Sequence, residues 1–290
     1  MKKIGANMKN IKNLILEAIK GLVTGASMLI AGVSGGTMAL ILGFYDKLID
    51  AVSNIFKDLK KNIFTILFYM ITVGLGFFIF AEVMKFLIEN IKQPLFLFFI
   101  GAILGSVPML FKKTGIKVFK ITDFAFTIAG ILLVFALSFL PENIFNYTEA
   151  NGFSQILILL FSGILIAIAL VLPGISFSHV LLVLGLYESV LLAITTFDIK
   201  FLLPLGIATL IGVALMAKLL AYAMKKHTRQ TFMVIIGFAI ASVADIFKRN
   251  VSNDLPSGIW IFYCVIAFII GVAITYIISR FSKDKKEVDA

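Results

Sequence analysis

Charge is what this sequence has least of. Only 14% of its 290 residues are Asp, Glu, Lys or Arg, where a soluble domain carries about 25%. That deficit excludes a surface that faces water over most of its area. Cysteine is nearly absent too: Cys264 stands alone in an apolar run, which rules out a disulfide framework and argues against redox chemistry. The two histidines, His179 and His227, are too few and too far apart for a histidine metal cluster, so neither a metal nor another cofactor is expected.

What is present is apolar. Hydrophobic residues make up 60% of the chain, with 29 Phe and a mean hydropathy of +1.06. The solvent for most of the chain is therefore lipid. The net charge of +10 does not point to nucleic acid, because the basic residues fall in short clusters between apolar runs. That is the positive-inside pattern of a polytopic membrane protein. Lys2, Lys3, Lys9 and Lys12 precede an apolar stretch in the manner of a signal peptide, but the stretch runs on through Gly32-Val33-Ser34-Gly35-Gly36 into the fold.

A transmembrane helix needs about 20 predominantly apolar residues. Spans are expected over Asn62–Ala81, Pro94–Phe111, Thr122–Leu140, Phe201–Ala223, Gln230–Phe247 and Gly258–Ser279. Two further apolar regions, Gly21–Tyr45 and Ser154–Tyr187, are interrupted by small residues and, in the second, by Pro173. Each is either a pair of spans or a re-entrant helical hairpin. With the N-terminus inside, the cytoplasmic segments hold 19 of the 26 basic residues. The external loop Pro141–Phe153 has Glu142 and Glu149 and no base. Both termini are thus expected in the cytoplasm.

The chain repeats itself. Gly32, Ser34, Gly43, Tyr45 and Ala51 recur 142 residues later as Gly174, Ser176, Gly185, Tyr187 and Ala193. Gly76, Ala81, Gly101 and Ser106 recur 136 residues later as Gly212, Ala217, Gly237 and Ser242. The halves run over 12–140 and 154–281, with a cytoplasmic tail at 282–290. Each half holds one broken hairpin and three spans, an odd number, so the second half sits upside down relative to the first. The expected fold is an all-α polytopic membrane protein of two inverted repeats, an architecture of transporters with the site where the repeats meet.

The breaks carry the chemistry. Backbone that leaves a helix at membrane depth must be buried in protein or line a wet cavity. The glycines of Gly32-Val33-Ser34-Gly35-Gly36-Thr37 permit tight turns, and Ser34 or Thr37 suits a helix cap. The helix start that follows offers free N–H donors to a phosphate or carboxylate. Leu172-Pro173-Gly174-Ile175-Ser176-Phe177-Ser178 is the counterpart, with His179 a donor or proton carrier. Small residues that only let helices pack closely are the plain alternative. Asp46 and Glu188 occupy equivalent places beyond the breaks, as do Glu82 and Lys218 with opposite signs. These four are candidates for charge compensation or coupling, weighed against interfacial capping and, for Lys218, snorkelling.

At the two breaks the sequence resembles the polyprenyl-phosphate translocase family. The resemblance rests on Val33-Ser34-Gly35-Gly36-Thr37 with Leu42-Gly43-Phe44-Tyr45, and on Leu172-Pro173-Gly174-Ile175-Ser176 with Leu184-Gly185-Leu186-Tyr187. It implies a bacterial cytoplasmic-membrane protein, not an enzyme. Such a protein returns undecaprenyl phosphate from the outer to the inner leaflet for peptidoglycan and related polymers. It also implies that Ser34, Gly35, Gly36, Thr37, Gly174, Ser176, Ser178 and His179 bind the phosphate head, with membrane lipids around the tail and a proton or sodium ion as the coupling partner. The chain departs from the family pattern at the first break, where Met28-Leu29-Ile30-Ala31-Gly32 stands for Asp-x-x-Pro-Gly, and at the second, where Phe177-Ser178-His179 stands for Gly-Ser-Phe. An ion-coupled transporter of a small anionic solute is the rival expectation.

Overall fold

The computed structural model describes all residues except 1, 31–32, 117, 142, 146, 148–151, 252–254 and 289–290. Gly32 of the first break, Lys117 of the basic count and the acids Glu142 and Glu149 of the external loop lie outside the described residues. The described residues form helices and no strand, as the long apolar runs lead one to expect.

The helices are α1 (Lys2–Ser27), α2 (Gly35–Ile41), α3 (Tyr45–Ser53), α4 (Leu59–Ile79), α5 (Ala81–Lys113) and α6 (Ile121–Ser138), followed by α7 (Gly152–Val171), α8 (Phe177–Val183), α9 (Tyr187–Thr196), α10 (Ile199–Lys226), α11 (Thr228–Asn250) and α12 (Ile259–Val288). Six of them, α4, α5, α7, α10, α11 and the Ile259–Ile278 part of α12, are long and apolar enough to cross a membrane. The protein is a multi-pass membrane protein. At 18 residues α6 sits at the short end of spanning length and falls outside the six. Helix α7, read from sequence as part of a broken region, is long enough to cross alone.

The same local geometry occurs twice. Ser34 (φ −84°, ψ 136°) and Ser176 (φ −81°, ψ 121°) are the extended residues that open α2 and α8, each seven residues long. Both short helices close on a left-handed glycine, Gly43 at φ 77° and Gly185 at φ 71°. In the first, Phe44 N–H donates to Ala39 O and Gly43 N–H to Leu40 O; in the second, Leu186 donates to Leu181 and Gly185 to Leu182. This is the Schellman closure, which satisfies the last carbonyls and turns the chain. The helices α8 and α9 meet there at 108°. Asp58 caps α4 through Lys61 N–H, and Asp198 caps α10 through the N–H groups of Lys200 and Phe201. Even the kink inside α5 at Ile91 (φ −135°, ψ 43°) is matched by His227 (φ −123°, ψ 47°), which separates α10 from α11.

Packing divides the chain into two compact units, one of residues 1–106 and 245–290 and the other of 107–244. In the first unit α1 lies along α4, and glycine sets how closely. A Cβ on Gly21 would collide with the Thr72 side chain, one on Gly25 with the Val73 carbonyl, and one on Gly76 with the Leu22 carbonyl. Because 21 pairs with 72 and 25 with 73 and 77, the two helices run parallel. In the second unit α7 lies parallel to α10: a Cβ on Gly163 would reach 2.6 Å from Ala208 Cβ, and one on Gly212 would reach 2.6 Å from Ala167 Cβ. A second parallel contact in each unit joins distant segments. Helix α5 meets α12 through Gly101, Gly105 and Gly271, and α6 meets α11 through Gly130 and Gly237. Without side-chain volume between them, these backbones gain contact where apolar surface alone gives no preference over lipid.

Candidate functional site

In the first unit the break between α1 and α2 comes from residues that stop one helix and start another. Ser27 donates to the Thr24 carbonyl, at 2.7 Å, within the last turn of α1. The ladder resumes with Met38 N–H to Ser34 O at 3.1 Å. The amides of Gly35, Gly36 and Thr37 therefore stand ahead of it, as at every helix start. Ser34 is buried at the N-cap position, yet neither it nor Thr37 caps the helix as the sequence suggested: the Ser34 side chain makes no capping bond. The Thr37 hydroxyl is buried, with 4% of the residue exposed, and has no hydrogen-bond partner among the described residues. Leaving such a group unsatisfied costs about 1–3 kcal/mol. A Cβ on Gly35 would lie 2.7 Å from Met28 Sδ, so glycine leaves room for the Met28 thioether over this turn.

The second unit builds the other break. Pro173 ends α7, and Gly174 takes φ +88°, a conformation L side chains avoid. A Cβ there would lie 2.8 Å from both the Phe238 carbonyl and Ser242 Oγ of α11. Ser242 shares its one hydroxyl proton between Phe238 O at 2.8 Å and Gly174 O at 3.3 Å, so a serine from α11 lies against the carbonyl of the break. Ser176 opens α8 without a side-chain cap; Ser178 is exposed and His179 half-buried in the first turn. His179 occupies the place in α8 that Thr37 has in α2. At the far end of α8, the amides of Asn143 and Ile144 donate to the carbonyls of Leu182 and Val183 at 3.1 and 2.9 Å, which tucks the 143–145 segment under Gly185.

The sequence-derived site residues thus fall into two sets. Ser34, Gly35, Gly36 and Thr37 share one turn, and Gly174, Ser176, Ser178 and His179 share another. Asp46 and Glu188 stand in the first turns of α3 and α9, where a carboxylate complements the helix dipole. Glu82 is exposed in the first turn of α5, and Lys218 is exposed about two turns before the end of α10. Ser242 and Met28 were not singled out as site residues by sequence reasoning. Recurrence of Ser106 as Ser242 was visible in the repeat, but its bond to the break depends on a contact across 68 residues.

Comparison with known proteins bears on what such a site handles. No solved structure matches this chain. A protein of Staphylococcus aureus (strain NCTC 8325 / PS 47) named polyprenyl-phosphate transporter is 31% identical over 286 residues, covering 93% of this chain and 98% of the relative. A protein of the same name from Vibrio cholerae serotype O1 is 28% identical over 249 residues, covering 81% of this chain and 78% of the relative. Residues 24–257, which include both breaks and every helix from α2 to α11, match the VCA0040-like, undecaprenyl phosphate translocase-like family, and the chain belongs to that family.

Proposed function

We propose that this protein transports polyprenyl phosphate, carrying undecaprenyl phosphate from the outer to the inner leaflet of a bacterial cytoplasmic membrane for reuse in cell-envelope polymer synthesis. The observation that carries the reading is the repetition of one break geometry, at Ser34 and at Ser176, in a chain of this family. A phosphate head needs a polar station inside the membrane, while its polyprenyl tail stays in lipid. Amides ahead of the helix ladder and a buried hydroxyl at Thr37 supply donors for such a head. Ser34, Gly35, Gly36 and Thr37 form one half of the proposed head-group site; Gly174, Ser176, Ser178 and His179 form the other. Asp46, Glu188, Glu82 and Lys218 are proposed for charge compensation or for coupling to a proton or sodium ion.

Inversion of the halves is part of the proposal, and the parallel pairs support it. Lys2, Lys3, Lys9 and Lys12 fall in the first half of α1, and α4 starts among Lys57, Lys60 and Lys61. The other parallel pair, α7 with α10, gathers its bases toward the finishing end of α10, at Lys218, Lys225 and Lys226, with Lys200 alone at its start. If basic ends lie in the cytoplasm, the two pairs cross in opposite directions and both termini are cytoplasmic. The α2–α3 and α8–α9 segments then act as the returning arms of re-entrant hairpins. Each arm brings the chain back so that its parallel helix can start from the same side.

Purified protein in liposomes, with labelled undecaprenyl phosphate confined to one leaflet, tests this. Movement of the label to the other leaflet well above the protein-free rate is the expected result. Uptake of soluble anions without movement of the lipid would replace the proposal with a small-anion transporter.

A further inference from the structure

A cluster of ionisable side chains in the first unit lies outside both breaks. In the first unit Glu17 of α1 accepts a hydrogen bond from Lys20 Nζ at 2.8 Å and another from the Tyr69 hydroxyl of α4. Lys47 of α3 approaches the same carboxylate at 3.8 Å, too far for a hydrogen bond, and lies 5.5 Å above the Tyr69 ring. Three elements that meet nowhere in sequence thus point one acid, two ammonium groups and a phenol at one spot. The equivalent repeat positions of the second unit carry no charge: Leu159 and Leu205 are buried there, Ser162 is fully enclosed, and Ser189 stands for Lys47. The cluster is therefore no requirement of the helix pair as such.

A pocket of about 180 Å³ opens beside it, lined by Glu17, Lys47 and Tyr69 on its polar side and by Leu14, Phe64 and Phe68 on its apolar side. That volume is below the roughly 300–1,000 Å³ of a site that swallows a whole drug-sized ligand. It accommodates a head group and leaves a long chain outside. Leu14 is 50% exposed and Phe64 63% exposed, so the apolar rim opens outward and not into the protein. The Lys47 side chain is 57% exposed and its three donors are unspent on Glu17.

From this geometry we infer that the pocket between α1, α3 and α4 is a second phosphate station, which receives the phosphomonoester head of an amphiphile on Lys47 and Tyr69 while the tail lies over Leu14 and Phe64. Glu17 is the resident anion that the head displaces. A phosphomonoester carries more negative charge than a carboxylate and three strong acceptor oxygens, so it outcompetes Glu17 for the loosely held Lys47. Glu17 pairs again with Lys47 as the head leaves, so the cation is not left bare. The bonds from Lys20 and Tyr69 hold the Glu17 carboxylate beside Lys47, ready to compete. The inference rests on the proposed transport of polyprenyl phosphate. On the proposed sidedness, the pocket belongs to the cytoplasmic side, where the head leaves.

The test uses full-length protein in nanodiscs, titrated with polyprenyl phosphate and separately with inorganic phosphate, alongside leaflet-to-leaflet transport in liposomes. Lys47→Glu should weaken binding of the lipid about tenfold, the equivalent of one charge-assisted hydrogen bond, and slow transport. Glu17→Gln should bind the lipid more tightly than the parent protein and release it more slowly. Lys47→Glu protein that binds and transports like the parent overturns the pocket while leaving the transport proposal intact. Weaker binding by Glu17→Gln protein that elutes as a folded species overturns the role of Glu17 as competitor. Inorganic phosphate bound as tightly as the lipid overturns the amphiphile assignment. Parent protein that neither binds nor moves polyprenyl phosphate overturns both proposals.

Discussion

Among the described residues, two buried hydroxyls without partners, on Thr37 and Ser162, separate a functional from a structural role at the scale of single residues. Thr37 Oγ1 stands at the start of α2 and Ser162 Oγ is enclosed in α7 beside the α10 seam. Removing an unsatisfied buried hydroxyl while keeping the shape is close to neutral for stability or favourable. Thr37→Val should therefore leave the unfolding temperature in detergent unchanged or raised. Its transport rate should fall about tenfold, the equivalent of one hydrogen bond to a charged head. Ser162→Ala should match it in stability and transport normally. Equal transport by the two variants would remove Thr37 from the head-group site. The helix start at Ser34, with Thr37 in its first turn, was readable from Gly-Val-Ser-Gly-Gly-Thr. The missing side-chain cap at Ser34 was not, because capping depends on a rotamer that sequence does not specify.

Helix pairs are governed by which glycines face a neighbour. Within α4, a Cβ on Gly76 would enter the Leu22 backbone, whereas Gly74, two residues earlier, faces open space. In α10 the same contrast holds between Gly212 and Gly206. Gly76→Ala should destabilise by about 1–3 kcal/mol through overpacking, and Gly74→Ala should stabilise by up to about 1 kcal/mol through helix propensity. Thermal unfolding of the two variants side by side checks this.

At the scale of the whole molecule, the compact units and the sequence halves are different divisions. The halves at 12–140 and 154–281 follow the repeat, whereas the units follow packing: α12 joins the unit of α1–α4, and α6 joins that of α7–α10. Orientation is the open prediction at this scale. Cys264→Ser gives a background without cysteine, and single cysteines at Ser53 and Thr195 mark the ends of the two return arms. In intact cells a membrane-impermeant maleimide should label Thr195→Cys and leave Ser53→Cys untouched. Labelling of both positions from one side would end the inverted arrangement.

The sequence by itself determined that the chain lives in lipid, where its long helices run, that the two breaks are alike, and which family it belongs to. These are local properties: apolar run length, glycine and proline at turns, and aspartate at helix starts, each acting within a few residues. Tertiary structure alone decided that α1 lies parallel to α4 and α7 to α10, that α12 and α6 pack outside their own halves, and that Ser242 reaches Gly174. It also decided that Glu17, Lys47 and Tyr69 meet. Lipid gives no hydrophobic preference among apolar faces, so partner choice rests on where glycines let backbones touch and where distant polar groups find each other.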